Sequence, residues 1–411
     1  MNQEKLIEGH KAIAPPKGVP VLDIDPYSND NLTQRIYFQA LRDAGPFAYI
    51  PMYSVLASGR YDIVREVFSD HERFVSSRGV GLSDFAVEAP WRPQSIILEV
   101  DPPYHTKTRK VIMRGLSPMV VRDLKDAFKL DAERLIGEII AKGDFEAVVD
   151  IAEAFPSKVF PESVGVKDPD PRMLIDFGSI QFNAIGPNNA LRAKGFAGVK
   201  PVLEWILSRC SRDALTPNGI GAVFYAAADN GEITHDEATL LVRAVLAAGI
   251  DTTVTGIGNA LWCLATNPDE YEKLKADPER MALPAFEETL RFTSPVQAFY
   301  RTAAVDTEVA GVAIQEGTKI LCCLGAANMD PEHWENPERY DITRKTAGHL
   351  ALGVGVHNCV GQNIARAEGQ AVLRAIAERV ERIELVGEAV WRPNNAIHAL
   401  DKLPLRFIPK K

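Results

Sequence analysis

Apolar positions recur at helical spacing along most of the chain. The longest such run is residues 234–266, where Leu240, Leu241, Val245, Leu246, Ile250, Val254, Ile257 and Leu261 supply the apolar positions. Thr234-His-Asp-Glu237 is a capping box at its start, and Asn267-Pro268 stops it. At ~1.5 Å per residue the pattern predicts one helix roughly 50 Å long. Residues 362–380 carry a second amphipathic pattern. Residues 60–68 carry a third, with Tyr61, Val64 and Phe68 on one face. Residues 284–291 predict a helix that opens on a proline and ends before Pro295. Strand signals are short: residues 47–50 and 55–57 around a turn, and a hairpin over 309–324 turning at 315–317. Residues 403–408 predict an edge strand, because only an edge tolerates Pro404. Residues 1–30 are proline-rich and predict irregular surface chain. Residues 78–98 show no period, and a long aperiodic loop in a compact domain is usually functional.

The long helix breaks its own pattern at Ala247-Ala-Gly-Ile-Asp251-Thr252-Thr253. An acid and two β-branched hydroxyls are locally unfavourable inside an apolar helix. Threonine can also turn its hydroxyl onto the carbonyl four residues back and bend the axis. Such a violation in a core element points to function. Composition adds bounds. The chain has 411 residues, 46% hydrophobic and 25% charged, with a net charge of -9. That is an ordinary soluble globular balance, and the acidic sign argues against nucleic-acid binding. No linker or repeat divides it, so residues 1–411 are read as one helix-rich α+β domain. Residues 1–10 carry no apolar run of the kind a leader or membrane anchor needs. Cysteines at 210, 263, 322, 323 and 359 form neither a disulfide framework nor a zinc pattern, which fits a cytoplasmic protein.

Candidate chemistry gathers around Cys359. Gly353, Gly355 and Gly361 fall within nine residues, in a loop that feeds the 362–380 helix. Glycine lets backbone turn tightly and lie close to a ligand. A helix N-terminus stabilises a thiolate. A thiolate in a loop that can lie flat against a planar ligand suits axial ligation of haem iron.

The run Leu352-Gly353-Val354-Gly355-Val356-His357-Asn358-Cys359-Val360-Gly361 resembles the haem-binding signature of the cytochrome P-450 family, aromatic-Gly-x-Gly-x-His-x-Cys-x-Gly. Leu352 stands where the family usually has phenylalanine. The resemblance implies a mainly α (α+β) fold, one triangular helix-rich domain with small sheets. Haem b would lie between the long central helix and the cysteine-loop helix. It implies Cys359 as the iron's axial ligand, cradled by Gly353, His357 and Gly361. His105 and Arg109, four apart on one helix face, match the family's His-x-x-x-Arg, which with Arg301 grips the haem propionates. Asp251 and Thr252 match its acid–alcohol pair, which relays protons to dioxygen. Glu288 and Arg291 match its Glu-x-x-Arg, joined by Arg339 of Pro337-Glu-Arg-Tyr340 as a structural group.

Residues 76–85, Pro90-Trp-Arg-Pro93, Phe182-Asn-Ala, Asp251-Thr-Thr253 and residues 340–346 look like the bacterial members that O-demethylate para-methoxybenzoate. Their carboxylate is held at positions matching Arg92, Ser95 and Arg243, plus a serine that is Ala244 here. One lost hydroxyl costs ~1 kcal/mol. Ile185 replaces a pocket phenylalanine and Gln181 a valine. Phe182 and Phe299 keep the aromatic clamp, and Leu98, Ala248 and Val296 complete the implied pocket. The expected substrate is a small aromatic carboxylic acid, para-methoxylated or para-alkylated. No flavin or iron–sulfur motif is visible. Electrons are therefore expected from a two-iron two-sulfur ferredoxin and an NADH-dependent ferredoxin reductase. The basic run Lys107, Lys110, Arg114, Arg122 and Lys125 is a solvated face or a steering patch for that acidic donor. The expected protein is a cytoplasmic monomer with no nucleic-acid or membrane partner. Three alternatives stay open: another small hydrophobic substrate, a peroxide-driven peroxygenase, and a non-catalytic haem binder or sensor.

Overall fold

A computed structural model of the chain describes residues 6, 7 and 9–411. Helices dominate, and small sheets sit at the margins. Residues 1–5 and 8 of the expected irregular N-terminal segment lie outside the described residues. The remainder of that segment is irregular except for Leu6–Ile7 paired with His10–Lys11 and the start of a helix at Asn29.

The central apolar run forms as expected but as two helices, His235–Gly249 and Asp251–Thr266, interrupted at Ile250 (φ -100, ψ -65). The capping box at Thr234 and Glu237 is present. Three hydroxyls turn back onto carbonyls at the break: Thr252 onto Ala248 (2.7 Å), Thr253 onto Gly249 (3.0 Å) and Thr255 onto Asp251 (2.7 Å). Gly249 is required there, because a Cβ would lie 2.1 Å from the Phe160 ring. By length and composition 235–266 is also apolar enough to cross a membrane. Yet 67% of its most apolar window is buried inside the protein, as in a core helix. Asp251–Thr266 packs on Pro278–Thr293 and on Gln362–Arg379, and the latter packs on Pro118–Lys142. Phe160, Leu246, Ile257, Leu261, Phe286 and Leu373 belong to the resulting core.

Three expectations about local structure are corrected. The helix placed at 284–291 begins earlier, at Pro278, where the Asp277 carboxylate caps the Arg280 N–H at 3.2 Å. Pro284 lies inside it, giving up one amide donor in the second turn. The hairpin turns at Ala310-Gly311, both with positive φ (49 and 78), not at 315–317. An alanine in the left-handed region gives no sequence signal. Lys319–Cys323 instead enters a five-stranded sheet ordered Ala48–Ile50, Val55–Ser58, Lys319–Cys323, Ala298–Ala303, Phe74–Val75. Cys322 and Cys323 are filler in that strand, buried and free. The C-terminal strand Pro404–Pro409 is central, between Val380–Leu385 and Asp144–Glu146. It tolerates prolines because they occupy its two ends.

The buried ion pair is the fourth correction. Glu288 and Arg291 are wholly buried and bidentate, 2.8 Å at both contacts. The second arginine is Arg344, whose Nε donates to Glu288 at 3.2 Å. The Arg339 side chain is exposed, and the residue supplies only its carbonyl, to Arg291 (3.4 Å) and Arg344 (3.1 Å). Arg291 also donates to the carbonyls of Asn328 and Pro337, each at 2.9 Å. The buried Glu288–Arg291 pair is thereby matched, as burial requires, and the extra charge of Arg344 lies on a side chain that keeps some exposure to solvent. Replacing Arg291 by methionine strands Glu288 beside Arg344 alone. A loss of about 3–5 kcal/mol is expected, read as a lower urea midpoint of the haem-loaded protein.

Candidate active site

The cysteine loop is two short 3₁₀ turns, Leu350–Leu352 and Gly355–His357, feeding the helix Gln362–Arg379. Gly353 and Gly355 have φ of 67 and 75, a region that favours glycine. The Cys359 N–H donates to the Leu352 carbonyl at 2.8 Å. The position that departs from the P-450 signature therefore holds the cysteine through its backbone, which any side chain provides. Burial pushes the Cys359 thiol up. The N–H groups of Gly361 and Gln362 and the charges of Arg366 and Arg109 oppose it without winning. The thiolate preference expected from the helix N-terminus is thus outweighed by desolvation in the protein alone. A coordinated metal ion removes that difficulty, because it keeps a ligating thiol deprotonated.

Loop and helix are fastened to Pro278–Thr293 from both sides of Cys359. Glu287 accepts from His349 Nε2 at 2.9 Å before the loop and pairs with Arg366 Nε and Nη2 after it. Arg109 Nη1 donates to the Asn358 carbonyl at 2.9 Å, and its Nη2 to the Asn358 side chain.

Of the three expected propionate residues, His105 and Arg109 meet His357 at this loop, and Arg301 lies within their field. The His105 and His357 rings stand 4.2 Å apart. Burial first, then His357 and Arg109, push His105 down to about 4, so it is neutral at pH 7. Arg301, buried, lies 4.2 Å over the Phe68 ring and, among the described residues, donates to the Tyr300 carbonyl at 2.9 Å. One acid balances the group. Asp101 lies 3.6 Å from His357 Nε2 and accepts from the Ser76 and Ser77 N–H groups; against burial, His357 first and then Ser77 and Ser76 hold it well below the usual carboxylate range. Among the described residues His105 Nε2 and His357 Nδ1 are buried without a hydrogen-bond partner, and His357 Nε2 has only the long contact to Asp101. Orphaned nitrogens, an arginine with no carboxylate of its own and a sulfur aimed from a glycine loop fit an anionic, metal-bearing planar group.

At the helix break Asp251 is buried. Arg392 Nη2 donates to its Oδ1 at 3.0 Å, and Oδ2 has no partner. Burial pushes its carboxyl up, opposed by Arg392. Beside it Thr252, Ala247 and Gly249 are half-exposed and Ala248 is exposed, while Ile250 is buried.

The substrate residues form two groups. Phe182 and Val296 are buried in one apolar cluster with Ala396, Ile397 and Ala399, and Ile185 and Phe299 pack against it. The 394–399 segment escaped sequence reading, where Asn394-Asn395 marks only a turn. Asn395 holds it by bonds to the Asn183 backbone and Asn189. Leu98 donates its N–H to Ser95 Oγ at 3.2 Å, and Ala244 follows Arg243 in its helix. Arg92 and Arg243 converge on one carbonyl, that of Pro93, at 3.0 and 2.7 Å. Arg92, however, is already engaged by Glu99 (2.8 and 3.1 Å) and by Gln181 Oε1 (2.6 Å), so it is not a free carboxylate receptor. Lys319, wholly buried, anchors the start of this loop through the carbonyls of Arg78, Gly79 and Gly81 at 3.0, 3.1 and 3.1 Å.

Comparison with known proteins agrees with this architecture. The Cytochrome P450 family description matches residues 217–383. The chain is 48% identical to cytochrome P450 CYP199A2 of Rhodopseudomonas palustris over 394 residues, 95% of each chain. The chain belongs to the cytochrome P450 family. This P450 is also 33% identical to 6-deoxyerythronolide B hydroxylase of Saccharopolyspora erythraea, over 75% of this chain and 76% of that one. Its fold superposes on cytochrome P450 CYP109Q5 from Chondromyces apiculatus with a TM-score of 0.79, at 28% identity over 94% of this chain and 99% of that one. Family members bind haem b through a cysteine thiolate, and this P450 is a monooxygenase that uses dioxygen, a small organic substrate and redox partners.

The Glu287 clasp gives a pH test. Burial opposes it, but His349 and Arg366 hold the Glu287 carboxyl down at about 2 against an ordinary 4.5. The folded value is depressed, so this stabilisation is complete above about pH 4.5 and is lost as pH falls from there towards 2. Acid titration of wild type should lose about 3 kcal/mol more than Glu287→Gln across that window. Equal acid sensitivity of the two proteins would dismiss the clasp.

Proposed function

We propose that this P450 oxidises a para-substituted aromatic carboxylic acid, removing a methyl group from a 4-methoxybenzoate or hydroxylating a para-alkyl group. The observation that carries the reading is the buried Arg243. Its Nη1 has no partner among the described residues, and it sits across the Pro93 carbonyl from Arg92. Arg92 is tied to Gln181, and Phe182, the next residue, enters the apolar cluster with Ile185, Val296 and Phe299. A buried guanidinium with a free donor recognises a carboxylate, and the apolar cluster accepts a ring.

In this reading Cys359 Sγ ligates the iron, His105, Arg109, Arg301 and His357 meet the propionates, and Gly353 and Gly361 let the loop lie close. Haem b, when bound, supplies the iron at which dioxygen is reduced. Asp251 holds a proton at Oδ2, the oxygen Arg392 leaves free, and passes it by way of Thr252 Oγ1, which then leaves the Ala248 carbonyl. The donor is an acidic two-iron two-sulfur ferredoxin served by an NADH-dependent reductase. Lys110, Arg122 and Lys125 are exposed on the face suited to it, whereas Lys107 and Arg114 are paired with Glu237 and Glu232. The protein would work as a cytoplasmic, single-domain monomer.

The test is a panel of methoxybenzoates scored by haem spin shift and formaldehyde release with NADH, ferredoxin and reductase. 4-Methoxybenzoate is expected to lead. A terpene or fatty acid outcompeting every aromatic acid overturns the substrate, and equal turnover on peroxide alone overturns the electron donor. Cys359→Ser should abolish the thiolate-type band of the reduced carbon monoxide complex. Asp251→Asn should slow turnover by about 100-fold, the scale of lost general acid catalysis, with substrate affinity unchanged and a larger solvent isotope effect.

A further inference from the structure

The carboxylate end of the pocket has a charge balance that the substrate reading does not explain by itself. Two guanidiniums meet at the Pro93 carbonyl, and Glu99 is the acid bonded into the group. Glu99 is nearly buried and grips Arg92 with both oxygens, at 2.8 and 3.1 Å. Its Oε2 also accepts the Ser95 N–H at 2.7 Å, so the loop that should cradle the substrate is folded around this carboxylate. With Gln181 on Nε and Pro93 on Nη1, Arg92 makes four hydrogen bonds to protein. Arg243 differs. It is 2% exposed, its Nη2 bonds only to the carbonyls of Pro93 and Gln94, and its Nη1 faces no partner among the described residues. Two cations and one anion leave a single positive charge. A buried site is stable when its charge is matched and costly when it is exceeded.

We propose that Glu99 sets the charge of the accepted substrate at one: by occupying Arg92, it leaves Arg243 to receive a monocarboxylate and turns away dianions. This rests on the aromatic-acid reading and adds a specificity-determining residue to it. Burial and the neighbouring Arg92 push the Arg243 guanidinium down to about 10, so it keeps its charge at pH 7. The neighbouring Cys210 thiol, pushed up by burial to about 12, adds none.

The experiment uses three probes of one shape class: 4-methoxybenzoate, neutral 4-methoxybenzamide and dianionic 4-methoxyphthalate. Each is titrated into the haem-loaded enzyme by calorimetry and by spin shift. Wild type is expected to bind the benzoate at least tenfold tighter than either other probe. Glu99→Gln keeps the side chain's shape and adds one net positive charge. It should shift the phthalate-to-benzoate affinity ratio at least tenfold towards the dianion. Arg92→Gln removes one positive charge and should cut the benzoate-over-benzamide preference at least tenfold. The double variant E99Q/R92Q returns the net charge to one and should restore that preference. If Arg92 instead gripped the substrate directly, the double variant would stay as poor as Arg92→Gln, and the assignment falls. An unchanged ratio in Glu99→Gln, with wild type responding normally, also overturns it while sparing the substrate class. If Glu99→Gln does not load haem, the pair Arg92→Gln and E99Q/R92Q decides alone. A wild type that binds no aromatic acid overturns both.

Discussion

Two adjacent carboxylates on one turn of the helix Pro278–Thr293 carry the architecture of this site. Glu288 faces inward to Arg291 and Arg344, a knot that also gathers the carbonyls of Asn328, Pro337 and Arg339. Glu287 faces the cysteine loop and holds it on both flanks, through His349 and Arg366. Buried charges tolerate little displacement, because each partner lost leaves an unpaired ion in low dielectric. The loop has two left-handed glycines and little regular structure of its own, so its shape is imposed from outside by this pairing.

The interrupted central helix shows the same logic in reverse. Asp251, Thr252 and Thr253 are poor helix residues in a buried setting. They persist because the surrounding packing leaves no alternative: Phe160 closes on Gly249, and Arg392 reaches in to meet Asp251. The threonine hydroxyls, with no other partner inside, satisfy themselves on carbonyls one turn back. The result is a carboxylate with one oxygen held and one without a partner among the described residues, beside a hydroxyl on a partly exposed stretch in the middle of this helix pair. In the proposed function this irregularity, a defect in a purely structural helix, is where a proton would be kept and released.

The loop around Arg92 is held by charged groups rather than by regular structure. Loop 78–98 is aperiodic, yet it is held as firmly as a strand. Lys319 takes three of its carbonyls, Arg78 pairs with Asp84, and Glu99 folds Arg92 and Ser95 together. Several of the loop's backbone groups thus find side-chain partners in place of a ladder.

From the sequence alone, the family, the cysteine, the acid–alcohol pair, the capping box at Thr234 and the helix behind the loop were all legible. The cysteine loop, the capping box and the helix rest on residues close together in the chain, where spacing and local chemistry suffice; the family and the acid–alcohol role of Asp251 and Thr252 rest on resemblance. The propionate residues were legible only through resemblance, since His105 and Arg109 are otherwise an ordinary surface pair at helical spacing. Whatever depends on partners far apart in sequence was decided by the tertiary structure. Arg344 rather than Arg339 answers Glu288, because the chain turn after Pro337 presents a carbonyl where the sequence motif suggests a side chain. The strand at Pro404 lies in the middle of its sheet, because its neighbours come from residues 144–146 and 380–385. Arg92 is bound by Glu99 and Gln181, a fact that composition and periodicity cannot carry, because electrostatic neighbours are set by packing in three dimensions.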